Sequence, residues 1–463
     1  MNNLPDLSQL TSAQKDELIL SLWALVLAHQ IQIDELGGRL NLTSQNSSKP
    51  PSSDGLLKPA PKSLRKAAQR PRGGQDGHPG STLCRAEQPD TIITHKAPAQ
   101  CDACQRNLPA GSVGETRQVF DLPVLKYEVT EHRVMQATCT CGRVHVGEFP
   151  PYVRASVQYG PAAQAAMVHL SQHHMMPLQR TASLMGDFFG MPLSQATVVK
   201  ACADAQERLS PTVQAIATAL QSAPVAHADE SGLRVASALH WLHVVATQTL
   251  TWVGVHAKRG ALAFEALGIL PQFKGTLIHD GWAPYRALEC GHGLCNAHHL
   301  RELTYVHEEL KQPWAGDMIE LLTHASGLPQ PVQRHQQGHL RYVYEEILSQ
   351  AELANPRASP CGKRGRTKQS KATNLIGRLR QHADDVWRFM TEPGVPFTNN
   401  VAEQAVRMPK VKQKISGCFR TLQGAETFCV IRSYLATMHK QGANLFESLV
   451  QTFQDAPPQP RLA

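Results

Sequence analysis

Residues 225–235 read VAHADESGLRV, and residues 240–248 and 250–258 follow as HWLHVVATQ and LTWVGVHAK. Side chains in these runs recur with the period of two that places alternate residues on opposite faces of a β-strand. A short helical stretch over 261–267 comes next, then GTLIHDGW at 275–282, an apolar run that ends in Asp280. Three consecutive strands, a helix and a further strand with an acid at its end lay out an α/β sheet. His227, His240, His243, His256 and His279 alternate with apolar positions and read as strand-face residues rather than ligands.

Asp229 sits inside the first strand and Asp280 closes the later one. Glu230, next to Asp229, points to the other face of a strand and falls outside the candidate ligand set. A third acid stands in residues 397–420, FTNNVAEQAVRMPKVKQKISGCFR, where Glu403 precedes Arg407, Lys410, Lys412, Lys414 and Arg420. Three acids on separate elements repel one another unless divalent cations lie between them, and cations beside the last suit a polyanionic substrate. Asn400-Val-Ala-Glu403 also has the spacing of a helix capping box, and Pro409 suggests a short helix; if Glu403 only caps, Glu426 is the acid left to complete the site.

The 463 residues are too many for a single core and carry a net charge of +8, which favours an acidic partner such as nucleic acid. No apolar run is long enough to span a membrane and MNNLPDLSQL lacks signal-peptide character, so an intracellular protein is expected. Eleven cysteines in a reducing compartment then argue against a disulfide framework.

Heptad spacing of Ile19, Leu22, Val26, His29, Ile33, Leu36 and Leu40 predicts a short coiled coil over 1–45, or else an amphipathic helix docked on the protein's own core. A Ser-, Pro- and Gly-rich segment with Lys58, Lys62, Arg65, Lys66, Arg70 and Arg72 reads as a flexible basic linker over 46–90. Within 91–152, Cys101 and Cys104, then Cys139 and Cys141, flank a strand-like stretch and match a structural tetrathiolate Zn2+ module, with His145 able to replace one thiolate. Residues 155–222 turn helical, with Gly190 in a turn and Ser194 capping a second helix. This is the outline of a helix-turn-helix that would present Gln195, Thr197, Val198 and Lys200 to DNA. Residues 223–445 hold the sheet and the three acids, interrupted by a helical insertion over about 290–395, and 446–463 form a tail. Cys295 and His298, followed by Arg301 and Glu302, have ligand-like spacing but read as an anchor for that insertion.

The motifs NSSKPPSSDG, GGQDGHPG, HADESGLRV, HWLHV, LIHDGWAPY, CNAHHLREL and PFTNNVAEQAVRMPKVKQKISGCFRT, with the cysteine pairs between them, together resemble the transposases of the insertion sequence 66 family. The resemblance spans nearly the whole chain. It implies a ribonuclease H-like catalytic domain with Asp229, Asp280 and Glu403 as catalytic acids holding Mg2+ or Mn2+. It further implies a bacterial, cytoplasmic, nucleoid-associated enzyme of DNA transposition and recombination that cuts and joins element ends. Its partners would be the terminal inverted repeats, target DNA, further copies of itself and accessory proteins of the same element. Ser231 stands where the family commonly has Thr, and Gln404 where Arg often follows the Glu. Two readings compete: a zinc-containing, sequence-specific DNA-binding regulator without catalysis, and a plain ribonuclease H-like nuclease.

Overall fold

The computed structural model describes residues 11–44, 46–47, 83–110, 112–122, 125–358, 367 and 369–462. Most of the expected basic linker, and all six of its named cations, lie outside them. Along the chain run α1 (Ser12–Leu40), β1 (Gln136–Thr138), β2 (Val144–Val146), α2 (Pro161–Val168), α3 (Leu178–Phe189) and α4 (Gln195–Gln221). The sheet region follows: β3 (Val225–Val235), β4 (Ala238–Ala246), β5 (Thr251–His256), α5 (Ala261–Leu267), β6 (Thr276–His279), α6 (Ala283–Arg286) and β7 (Gly291–Leu294). Helices α7 (Asn296–Glu308), α8 (Pro313–Ser326), α9 (Arg334–Ala354), α10 (Lys371–Gln381), α11 (Ala383–Thr391), α12 (Asn400–Ser416), α13 (Leu422–Lys440) and α14 (Leu445–Phe453) complete the order.

The five-stranded sheet has the order β5-β4-β3-β6-β7, antiparallel across the first three strands and parallel thereafter. Two-residue chain reversal at Ala236 and Ser237, both at positive φ, joins β3 to β4 as a hairpin. Edge strand β5 is not left bare: Ser433 Oγ and Thr437 Oγ1 on α13 accept the Val253 and Thr251 amides at 2.8 and 3.0 Å. On one face Leu233, Val235, Leu242 and Val244 pack with Ala402 and Val406 of α12 and with α13; on the other, Ala226, Ala228 and Leu277 pack with Phe264 of α5 and Tyr285 of α6. This mixed α/β architecture fits a ribonuclease H-like transposase domain. Helices α7 to α11 form a separate apolar cluster around Leu303, Met318, Tyr344 and Trp387, between β7 and α12 in the chain.

Several local expectations change. Helix α12 runs through Pro409 instead of stopping short of it, because Ala402, Val406 and Pro409 are buried against the sheet and that packing outweighs the lost backbone bond. Helix α4 does begin at the Ser194 cap, whose Oγ accepts the Thr197 amide at 3.2 Å, but Val198 is fully buried and cannot be offered to DNA. Among the described residues of 112–135 no strand forms, and Val119, Phe120, Leu122 and Val129 are exposed; a strand needs a neighbour, and only β1 and β2 pair there. On α1, Ile19, Leu22, Val26, Ile33 and Leu40 are at least half exposed, so this seam is not docked on the protein's own core. No helix among the described residues is long and apolar enough to cross a membrane.

Candidate active site

Strands β3 and β6 pair in parallel through Val225–Thr276, Ala226–Leu277 and His227–Ile278. Carrying that register on by two residues brings Asp280 level with Asp229 at the same end of neighbouring strands, where side chains in register share a face. Asp229 also shares its face with Leu233 and Val235, which touch α12, so its carboxylate looks toward that helix. A backbone amide fixes one oxygen of each acid: Glu230 N–H donates to Asp229 Oδ1 and Trp282 N–H to Asp280 Oδ1, both at 2.9 Å. The second of these turns needs Gly281, which lies at φ +86° with Arg286 and Leu294 close around the place of a side chain. Buried His279 accepts the Gly281 amide at Nδ1 (3.0 Å) and so steadies the same turn.

Glu403 enters from the first turn of α12. Burial pushes the Asp229 carboxyl up to about 7, aided by the charges of Glu230, Asp280 and Glu403. The three acids named from the sequence therefore sit within electrostatic reach of one another. Helix α12 starts at Asn400, with Asn399 in the capping position and its side chain used elsewhere. Glu403 is thus one residue too far along for a capping box, and its Oε1 is buried without a hydrogen-bond partner. The capping explanation for this acid fails on both counts.

Asn399 is the residue that the sequence did not single out. It is 1% exposed, and its side chain accepts from His227 Nδ1 (2.9 Å) and donates to the Ala228 carbonyl (2.8 Å), while its backbone N–H donates to Cys295 Sγ (3.1 Å). Its carbonyl takes the Glu403 amide at 3.1 Å. One side chain thus ties the strand of Asp229 to the helix of Glu403. Asn399→Ala leaves a buried imidazole N–H and a buried carbonyl unpaired, at about 1–3 kcal/mol each. The expected result is a loss of roughly 3 kcal/mol in urea unfolding; a loss below about 0.5 kcal/mol would show the junction to be held by something else.

Glu230 faces the opposite side. Its carboxylate is 2% exposed and bonded to Arg259 and to the Tyr285 hydroxyl, and the Arg259 guanidinium lies 3.8 Å over Trp282 and 4.7 Å over Trp241. Burial raises its pKa against the pull of Tyr285 and Arg259. It is an anchor for α5 and α6, occupied on both oxygens.

Cys295 and His298, read from the sequence as an anchor, lie beside Glu403 instead. One ligand atom from each of the three falls within 4.8 Å of the others. Cys295, in the turn between β7 and α7, is 1% exposed, and burial pushes its thiol up to about 11. His298 is lowered by burial and by Arg301.

The five cations divide. Arg407, Lys414 and Arg420 are exposed, whereas Lys410 donates to the Gly232 carbonyl (3.1 Å) and carries its charge near Asp229. Lys412 is half-buried with Nζ 5.3 Å from the Phe428 ring centre and 5.7 Å from that of Phe419. Cys101 and Cys104 hold each other within one tight turn, and Cys139 and Cys141 within another. Among the described residues these four do not gather into a group of three or more ligands.

No curated protein matches the chain. Residues 2–83 match a family of unknown function. Residues 156–427, which span α2 to α12, the sheet and all three acids, match the family model described as Transposase IS66 family, and the chain belongs to that family.

Proposed function

We propose that the chain is a transposase that binds the ends of its element, cuts them and joins them to target DNA with a divalent metal at Asp229, Asp280 and Glu403. The observation that carries this reading is the convergence of three carboxylates from β3, the end of β6 and α12, one of them pushed up to about 7 by burial first and then by the charges of Glu230, Asp280 and Glu403. An unpartnered buried Oε1 and a carboxyl raised by burial and by neighbouring acids suit a cation-binding set. Magnesium or manganese bound there supplies Lewis-acid stabilisation of the phosphate oxygens during in-line displacement. The chain's own part is to fix the acids. Backbone amides hold one oxygen of each aspartate, Asn399 sets Glu403 against β3, and Asp229 gives up its proton on binding. Lys410, near Asp229, neutralises charge at the phosphate. Incubation of the chain with Mg2+ and end-containing DNA, scored for nicking and joining, tests this: joined products are expected, nicking alone would favour a nuclease, and binding without either a regulator.

Exposed Arg407, Lys414 and Arg420 are the phosphate contacts of this surface. Log affinity falls with log salt by about 0.9 per phosphate neutralised. Replacing all three by Ala is expected to flatten the slope by up to about 2.7. Lys412→Ala is expected to leave the slope unchanged and to lower stability, since its ammonium lies over aromatic rings. Titrations at several salt concentrations check both; equal effects of Lys412 and Lys414 would refute the division.

A further inference from the structure

Beside the aspartates lies a ligand set of different chemistry. Thiolate and imidazole select zinc-type transition metals, whereas magnesium takes oxygen. Cys295 and His298 are three residues apart where β7 passes into α7, and both meet Glu403 from α12. His298 Nδ1 and Glu403 Oε1 face each other at 3.9 Å, and each is buried without a hydrogen-bond partner. Two facing buried polar atoms left unpaired are costly, so the arrangement calls for something between them. Zinc with Zn–N and Zn–O bonds of about 2.1 Å at a tetrahedral angle holds N and O roughly 3.4 Å apart, so that pair closes by about half an ångström; the sulfur, within 4.8 Å of both, closes by at most about 1.2 Å. The sulfur is already oriented, since the Asn399 backbone amide donates to it at 3.1 Å.

We propose that Cys295, His298 and Glu403 form a three-ligand site for a zinc-type transition metal, and that an ion held there withdraws Glu403 from the two aspartates. The first half stands on the cluster itself; the second rests on the reading of Glu403 as the third catalytic acid. Binding releases the Cys295 thiol proton to solvent and leaves a fourth position open. A shared Glu403 makes the two metals competitors. Zinc then inhibits magnesium-supported cleavage, and Cys295→Ser relieves the inhibition.

Cobalt(II) reports the site directly, because thiolate ligation gives a sulfur-to-cobalt charge-transfer band. The full chain carrying Cys101→Ser, Cys104→Ser, Cys139→Ser and Cys141→Ser, which removes the thiolates of the other two pairs, is titrated with Co2+ under reducing conditions. One ion per chain is expected, with a charge-transfer band that Zn2+ displaces. Cys295→Ser should abolish the band, and Glu403→Gln and His298→Asn should each weaken Co2+ binding at least about tenfold. Absence of the band, its survival in Cys295→Ser, or unchanged affinity in both of the other variants overturns the proposal. If Cys295→Ser does not fold, the His298 and Glu403 variants still decide. Cleavage is scored separately: cobalt bound through Cys295 by a chain that never cuts DNA keeps this site and removes the catalytic reading, and cleavage by a chain without the band does the reverse.

Discussion

Glu403→Gln is expected to fold, melt and bind DNA as the parent does, yet to lose magnesium-dependent cleavage and joining by about a thousandfold or more, roughly 4 kcal/mol of barrier. The substitution keeps shape and length and exchanges an anionic, bidentate carboxylate for one neutral carbonyl oxygen and an amide. A hard divalent cation tolerates that poorly. The fold tolerates it well, because Oε1 makes no hydrogen bond that the amide would break and the helix is not capped by this side chain. Assays of nicking and joining beside thermal melts and DNA titrations check the separation. Retention of more than about a tenth of the parent rate, some 1.4 kcal/mol or less, would remove Glu403 from the site. A substitute is then hard to find. Glu426 is exposed on α13 and is not among the charges that raise Asp229, and Glu230 is committed to Arg259 and Tyr285.

The sheet was legible because its signal is local. Period-two runs and an acid ending an apolar strand are visible in a short window, and they put Asp229 and Asp280 on strands before any pairing is known. What pairs with what is not local. The parallel register that sets the two aspartates side by side depends on the crossover through α5, which the sequence suggests but does not align. The helix bearing Glu403 departs from its local signals for a related reason. Asn400 has the spacing of a cap, but the chain places Asn399 there and spends its side chain on His227 and Ala228, 172 and 171 positions away. The local cost of Pro409 argues for a stop, while burial of one face of α12 lies outside any window centred on it. Cys295 and His298 carry a ligand-like spacing whose third neighbour, Glu403, belongs to another helix more than a hundred residues later and is invisible to any local window. Val198 shows the converse error, a position chosen for its place at a helix start that turns out to face the core.

Asp229→Asn is expected to act in two opposite directions: cleavage lost by a thousandfold or more, and metal-free stability raised at neutral and alkaline pH. The loss follows from removing an anionic ligand. The gain follows from linkage. Asp229 is held at about 7 in the folded chain against an ordinary value of 3.8, by burial first and then by Glu230, Asp280 and Glu403. A folded-state pKa above the unfolded one means that the folded chain binds the extra proton, so stability is fully present below about pH 4 and is lost as pH rises through 7. Asn carries no charge to desolvate and escapes that loss. At 1.36 kcal/mol per pKa unit the full shift would exceed 4 kcal/mol; with solvent screening of a half-buried group, about 2 kcal/mol is the expected gap at pH 8. Magnesium should close it from the other side, because an ion that binds only the folded parent stabilises it by RT ln(1 + [L]/Kd), and the variant has lost a ligand. Urea unfolding of both chains between pH 4 and pH 8, with and without Mg2+, reads all of this. A parent–variant gap that stays constant across that range would mean that Asp229 is already charged without added metal, and that the three acids do not crowd one another enough to require a cation.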